Sequence, residues 1–312
     1  MTACGCVTVI EQALESGEVL FGLSHGSGNV SCLTVAVPLD IVRRVTLRFG
    51  LDFPPFGELA HPRRMAELAA VAEGAGWDGV FVWDHIMYRE PVTQAGDPWI
   101  GLAAMAAATE RVMLGPMVTP LARRRPQMVA RQGAALDQLS NGRFILGAGL
   151  GLDRSGRELS AFGEELDDRA RASMLDEALE IIGGLWSGDP YTHEGSHYKV
   201  DAVTFRPRPA QLPRPAIWLA GRWPYRRPIM RGAHWDGLFL IDQTDPHQLE
   251  EVAALVAAQR GSLTGFDLVI SRPPGSDPAP WAAAGATWWL TQTAYDSAAG
   301  AVFEVAAAGP PR

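Results

Sequence analysis

Asp84 and His85 stand directly after the short apolar run Gly79-Val80-Phe81-Val82-Trp83 and are the residues of this chain best placed to move a proton. A histidine at a strand end can exchange a proton near neutral pH or donate a hydrogen bond to a bound ring. A histidine that only caps the strand fits the same position equally well. Gly147, Gly149 and Gly151 close another apolar run, Phe144 to Gly149 and just beyond. Glycines there let backbone N–H groups approach an anionic phosphate, and a following helix N-terminus would add a favourable dipole. Arg123-Arg124-Arg125 precedes a helical pattern; it reads either as a draw for an acidic cofactor tail or as a solvated helix start. His193-Glu194-Gly195-Ser196-His197 has the form His-Glu-x-x-His, which binds zinc only when a helix sets both histidines on one face. With Gly195 inside it and Pro190 just before it, no helix and no metal site is expected here.

The background is an ordinary globular composition, 47% apolar and 20% charged over 312 residues, which excludes a mainly disordered chain. A net charge of -8 argues against nucleic acid as partner, since that needs a basic face to release counterions. Small molecules are the expected ligands. No apolar run approaches the roughly 18 residues of a membrane span, so no membrane partner is expected. Cys4, Cys6 and Cys32 are confined to the start of the chain, and the cysteine-free remainder suits a reducing cytoplasm. Residues 1–46 lack a sustained period and read as an N-terminal extension, a disordered segment or a start-site artefact, outside a fold that occupies 47–312.

From Leu47 onward, short β-rich runs alternate with helical patterns, the sign of repeated βα units and a parallel sheet. Strands are expected at 47–53, 79–83, 112–118, 144–149, 216–220, 237–241, 267–270 and 288–291. Helices are expected from Pro62 to Gly76, Trp99 to Ala108, Pro126 to Leu139, Ala172 to Trp186, Pro228 to Ala233, Leu249 to Gln259 and Ala298 to Ala307. Eight such units in this length predict an α/β fold of the (βα)8 TIM-barrel type, with insertions after strand four and before strand five. In such a barrel Asp84 and His85 fall on the catalytic rim. The rival is a nicotinamide dehydrogenase on an open, doubly wound sheet. Its Gly-x-Gly-x-x-Gly would follow the first strand, whereas these glycines follow the fourth in a Gly-x-Gly-x-Gly pattern.

Gly76-Trp77-Asp78-Gly79 with Trp83-Asp84-His85 resembles the luciferase-like monooxygenase superfamily of flavin- and deazaflavin-dependent oxidoreductases. The likeness continues in order through Thr109-Glu110-Arg111, Arg125-Pro126, Ser140-Asn141-Gly142-Arg143, the proline series 207–215 and Trp235-Asp236-Gly237. It implies a luciferase-like TIM-barrel domain over 47–312, binding reduced FMN or coenzyme F420 at the C-terminal strand ends. Asp84 and His85 would then face the ring, with His85 exchanging the proton. Met117, Val118 and Thr119 would line one ring face, where the family often has a non-prolyl cis peptide. The backbone at Leu150 and Gly151, and at Gly221 and Arg222, would hold phosphate. Trp223, Tyr225, Tyr88 and Trp99 would shape an apolar pocket or simply pack.

Where the deazaflavin sugar-phosphate dehydrogenases carry a glutamate after strand four, this chain has Leu152 and Asp153, which speaks against a proton relay there and against sugar-phosphate oxidation. The implied activity is oxygenation of, or hydride transfer with, a small apolar organic substrate. Implied partners are that substrate, a separate flavin reductase in the FMN case, and a second copy of the chain in a homodimer. A catalytically silent flavin-binding barrel is the other reading.

Overall fold

The computed structural model describes residues 46–154 and 156–311, so the expectation for the first 45 residues lies outside them. The parallel strands are β1 (Arg48–Phe53), β2 (Gly79–Val82), β3 (Met113–Pro116), β4 (Thr119–Pro120) and β5 (Ile145–Gly149). After an antiparallel pair, β6 (Pro190–Glu194) and β7 (Lys199–Thr204), come β8 (Ala216–Gly221), β9 (Gly237–Leu240), β10 (Asp267–Arg272) and β11 (Trp288–Gln292). Helices α1 (Pro62–Gly74), α2 (Pro98–Ala108), α3 (Pro126–Leu139), α4 (Asp168–Trp186), α5 (Arg226–Gly232), α6 (Pro246–Arg260), α7 (Ala279–Ala283) and α8 (Ala299–Ala308) fill the intervals.

The nine strands of the main sheet run in the order β3-β2-β1-β11-β10-β9-β8-β5-β4. A parallel bridge between Leu114 and Phe144 brings the two ends together. Counting β3 and β4 as one strand interrupted at the cis Met117–Val118 bond turns nine strands into the eight staves of a TIM barrel. The open sheet is excluded.

Local chemistry explains why the elements start where they do. Proline occupies the first turn of α1, α2 and α6, and the residue before each, His61, Asp97 and Asp245, accepts a backbone N–H from that turn. At the bottom of the barrel, the carboxylate of Asp78 accepts the Phe49 N–H at 2.8 Å, and that of Asp236 accepts the Ile217 N–H at 2.8 Å. Both Trp-Asp-Gly segments are thus clasps that pin one strand start to the next. The guanidinium of buried Arg143 donates to Thr109 Oγ1 and to the carbonyls of Ala106, Thr109, Val112 and Ser140. It closes the bottom between α2 and α3.

Inside the barrel, Phe81, Met117, Ile145, Trp218, Phe239, Val269, Trp288 and Leu290 form one cluster. Its large rings need room on neighbouring strands: a Cβ at Gly50 would stand 2.6 Å from Leu290, and one at Gly79 2.7 Å from Phe81. The two-residue alternation of a strand then fixes what lies one layer higher. Asp52, Trp83, Gly149, Ala220, Ile241, Ser271 and Gln292 occupy the inward positions at the C-terminal mouth.

Candidate active site

The mouth of the barrel is apolar on one side and polar on the other. Gly149 and Ala220 are its smallest members; a Cβ at Gly149 would lie 2.8 Å from Val118 Cγ2 and 3.2 Å from Ala220 Cβ. Across from them stand Asp52, Trp83 and Gln292. A cavity of about 450 Å³ opens beside this polar side, lined by Trp83, Tyr88, Arg89, Gln292, Thr293 and Tyr295 together with Pro273, Pro274 and apolar residues of α8.

His85 reaches this region with one nitrogen already committed. Its Nδ1 lies 2.6 Å from Glu158 Oε2, while Glu158 Oε1 accepts the Ile86 N–H at 2.7 Å and lies 3.8 Å from Arg123 Nη1. A carboxylate there fixes the tautomer, with Nδ1 as donor and Nε2 left with its lone pair for a bound molecule. Tyr88, Trp83 and Phe56 stand around the ring at centroid distances of 4.8, 5.9 and 6.2 Å. Glu158 is buried and escaped the sequence reading, which looked for a glutamate at Leu152. Residues 150–167 supply it instead: the Asp153 carboxylate accepts the Leu159 and Ser160 N–H groups, a turn that carries Glu158 back toward His85. Leu152 and Asp153 still stand where the sugar-phosphate dehydrogenases carry their glutamate, and Glu158 is a second acid, farther along the same segment, that meets His85. An acidic residue a few positions beyond a strand-end glycine run was the available signal.

Asp84 sits beside His85 in sequence but faces the other way. Its carboxylate accepts from Arg124 Nε and Nη2 at 3.0 and 2.9 Å, Arg123 Nη2 at 3.1 Å, Thr119 Oγ1 at 2.6 Å and Trp99 Nε1 at 3.1 Å. Burial pushes its pKa up, but the charge and hydrogen bonds of Arg124, the charge of Arg123 and the Thr119 hydroxyl outweigh that and hold it below the usual value. A fully paired, ionised carboxylate positions its neighbours and has no proton to exchange. The Arg123 side chain is buried and that of Arg124 partly buried, both turned onto Asp84, while Arg125 at the start of α3 is exposed.

Asp52 is the opposite case. Oδ2 accepts from Trp83 Nε1 at 3.1 Å and from Gln292 Nε2 at 2.7 Å, whereas Oδ1 is buried with no partner among the described residues. Burial drives its pKa up to about 7 against the lowering effect of those two hydrogen bonds. Strand alternation alone could have marked it, as an acid at an inward position of the first strand.

The remaining expected residues are dispersed around the rim. Met117 is buried inside the barrel, Val118 packs against Gly149, and the Thr119 hydroxyl is taken by Asp84. Leu150 and Gly151 follow β5, Gly151 at φ +77, but no helix begins there: α4 starts at Asp168 and its first turn is capped by the Asp167 carboxylate. Gly221 ends β8, and Arg222 pairs with Asp242 at 2.7 Å. Of the four aromatics, Tyr88 lines the cavity, Trp99 is a buried partner of Asp84, Trp223 packs on the core and Tyr225 is exposed. The His-Glu-x-x-His segment forms the β6–β7 hairpin, tied to α4 by Glu177, which accepts the N–H groups of Ser196, His197 and Tyr198.

Comparison with known proteins agrees with this architecture. The family model described as luciferase-like monooxygenase matches residues 48–304. The chain is 35% identical over 168 residues to the F420-dependent glucose-6-phosphate dehydrogenase of Nakamurella multipartita, a match covering 53% of this chain and 48% of that one. It is 32% identical over 238 residues to the enzyme of the same name from Beutenbergia cavernae, covering 73% and 68%. Against the first of these it spans about half the relative's length. Its fold is similar to that of the coenzyme F420-dependent tetrahydromethanopterin reductase of Methanopyrus kandleri, with a TM-score of 0.68 and 17% identity over 84% of this chain and 97% of that one. The barrel, its interrupted third strand and the family match over nearly all of it lead to one assignment: the chain belongs to the luciferase-like monooxygenase family.

Proposed function

We propose that the protein is an oxidoreductase that holds the deazaflavin coenzyme F420 at the barrel mouth and exchanges hydride with a small, mainly apolar substrate. The His85–Glu158 pair carries this reading, and the F420-dependent relatives support the cofactor. The mouth suits a flat heteroaromatic ring: Val118, Gly149 and Ala220 leave a low apolar floor on one side, while the buried, unpartnered oxygens of Asp52 and Thr293 call for hydrogen bonds on the other. Met117 and Val118 would contact the ring, and the backbone at Leu150, Gly151, Gly221 and Arg222 would serve its phosphate-bearing tail. The bound deazaflavin supplies the hydride acceptor or donor. His85 Nε2 takes the hydroxyl proton that is released when an alcohol is oxidised to a carbonyl, and returns it in reduction. Glu158 keeps the imidazole in the required tautomer, and the Asp84–Arg124 pair anchors the loop that carries it.

A second reading is favoured by the apolar lining of the cavity: reduced FMN, delivered by a separate reductase, used to oxygenate an apolar substrate. We place the protein in the cytoplasm, as a homodimer. Among the described residues no helix is long and apolar enough to cross a membrane.

The test is turnover of His85→Ala with bound F420, followed by the loss or gain of the cofactor's visible absorbance. A fall of about 10²–10⁴-fold with cofactor affinity retained is expected for loss of a general acid–base. Undiminished turnover would contradict the assignment, and absence of turnover in the native protein would favour the silent barrel.

A further inference from the structure

In the reading above Asp52 offers one oxygen to the polar side of the mouth and takes no part in moving the proton. Its two hydrogen-bond donors, Trp83 and Gln292, both line the cavity, and both donate to the same oxygen, Oδ2. With Nε2 of Gln292 turned to Asp52, the amide is left with its carbonyl Oε1 for the cavity. Among the described residues no charged side chain pairs with the carboxyl. On the loop after β2, His85 is engaged with Glu158 and Asp84 with its arginines; Arg89 stacks on Tyr295 at 4.6 Å. On β10, Arg272 donates to the Gln243 carbonyl at 2.6 Å. Tyr88 and Tyr295 are the other titratable groups of the cavity wall. The side chains that hydrogen-bond the Asp52 carboxyl are those of Trp83 and Gln292.

We propose that Asp52 and Gln292 together read the polarity of the substrate: with Asp52 ionised, Gln292 shows the cavity an acceptor and favours a neutral ring-bearing alcohol, and with Asp52 protonated its O–H donates to Gln292 Oε1, the amide turns, and its N–H favours the corresponding ketone. Asp52 is a positioning residue in this scheme, since Gln292 makes the contact. Burial without a compensating cation, which raises the Asp52 pKa to about 7, makes both states accessible near neutrality. The proposal rests on the barrel-mouth site described above but needs no step in which hydride moves, so it can be tested by binding alone.

Cyclohexanol and cyclohexanone serve as probes, their affinities measured by ligand-observed NMR on the full chain, with and without F420. From about pH 5.5 to about pH 8.5 the ratio of alcohol to ketone affinity should rise roughly tenfold, the worth of one hydrogen bond. Asp52→Asn should hold the ratio constant across that range. Gln292→Leu, which keeps the native acid and removes the contact, should bind both rings without pH dependence. A direct titration of the carboxyl carbons in the native protein needs no variant and should show one group changing charge with the same midpoint. A pH-independent ratio in the native protein overturns the proposal, as does binding of neither ring. So does persistence of the pH dependence in Asp52→Asn, which would transfer it to another group such as His85. Failure to bind F420 would remove the proposed activity while leaving these outcomes readable.

Discussion

At the scale of single residues, His85 and Glu158 show how two side chains 73 positions apart become one unit, since the carboxylate decides which imidazole nitrogen is free. Glu158→Gln keeps the size and one acceptor but loses the charge, so turnover should fall by about 10–100-fold, less than on removing the imidazole. Rates for the two variants side by side check this, and equal losses would place Glu158 in direct proton transfer. Asp52 is tested through stability. Its folded pKa, about 7, lies above the unfolded value of 3.8, so the folded state holds the extra proton between those values and stability falls as pH rises through that window. Relative to Asp52→Asn, the native protein should therefore lose about 2–4 kcal/mol between pH 4 and pH 8, read from denaturant midpoints. A constant difference between the two proteins would show that the carboxyl does not titrate in that window. His85 was legible in the sequence from its place after a strand. Glu158 was not, because it lies in an irregular segment where no period relates position to direction.

Between elements, the Asp84 node ties the end of β2 to the loop after β4 and to Trp99 of α2. Arg124→Ala leaves a buried carboxylate short of its best partner and should cost about 3–5 kcal/mol, the usual result of breaking a buried pair. Thermal unfolding measures it; a change below about 1 kcal/mol, typical of a surface pair, would contradict the burial argument. The sign with pH is opposite to that of Asp52: the lowered Asp84 contributes stability above its unfolded pKa, lost as pH falls through its folded value. The element boundaries themselves were largely legible. Expected strands at 216–220 and 267–270 became β8 and β10, each extended by one or two residues, and the helix expected at 126–139 is α3 as observed. The five-residue α7 was missed, being too short for a helical period to show. The interruption between β3 and β4 does not follow from apolar patterning either, since the run 112–118 is continuous in sequence.

For the whole molecule, the alternation of βα units foretold a parallel sheet covered on both faces, and the count of eight with no Gly-x-Gly-x-x-Gly after the first strand favoured the closed barrel over an open sheet. The Trp-Asp-Gly segments that carried the family resemblance prove to be bottom clasps, far in function from the mouth where chemistry would occur. Shape outside the barrel was less legible, since exposure is not written in residue type. Ile100 on α2 and Met128 on α3 are 60% and 54% exposed. If these neighbouring helices form the homodimer contact, sedimentation should give a dimer and Ile100→Asp with Met128→Glu should shift it to monomer. A monomeric native protein would remove that proposal.

The central claim, a deazaflavin held at the barrel mouth, is tested most directly by titrating the purified full chain with F420 and FMN in parallel and following ring fluorescence. Saturable binding of F420, tighter than that of FMN and weakened when Gly149→Val fills the floor, is the expected result. Preference for FMN would move the protein to the oxygenating reading, and binding of neither would contradict the cofactor site itself.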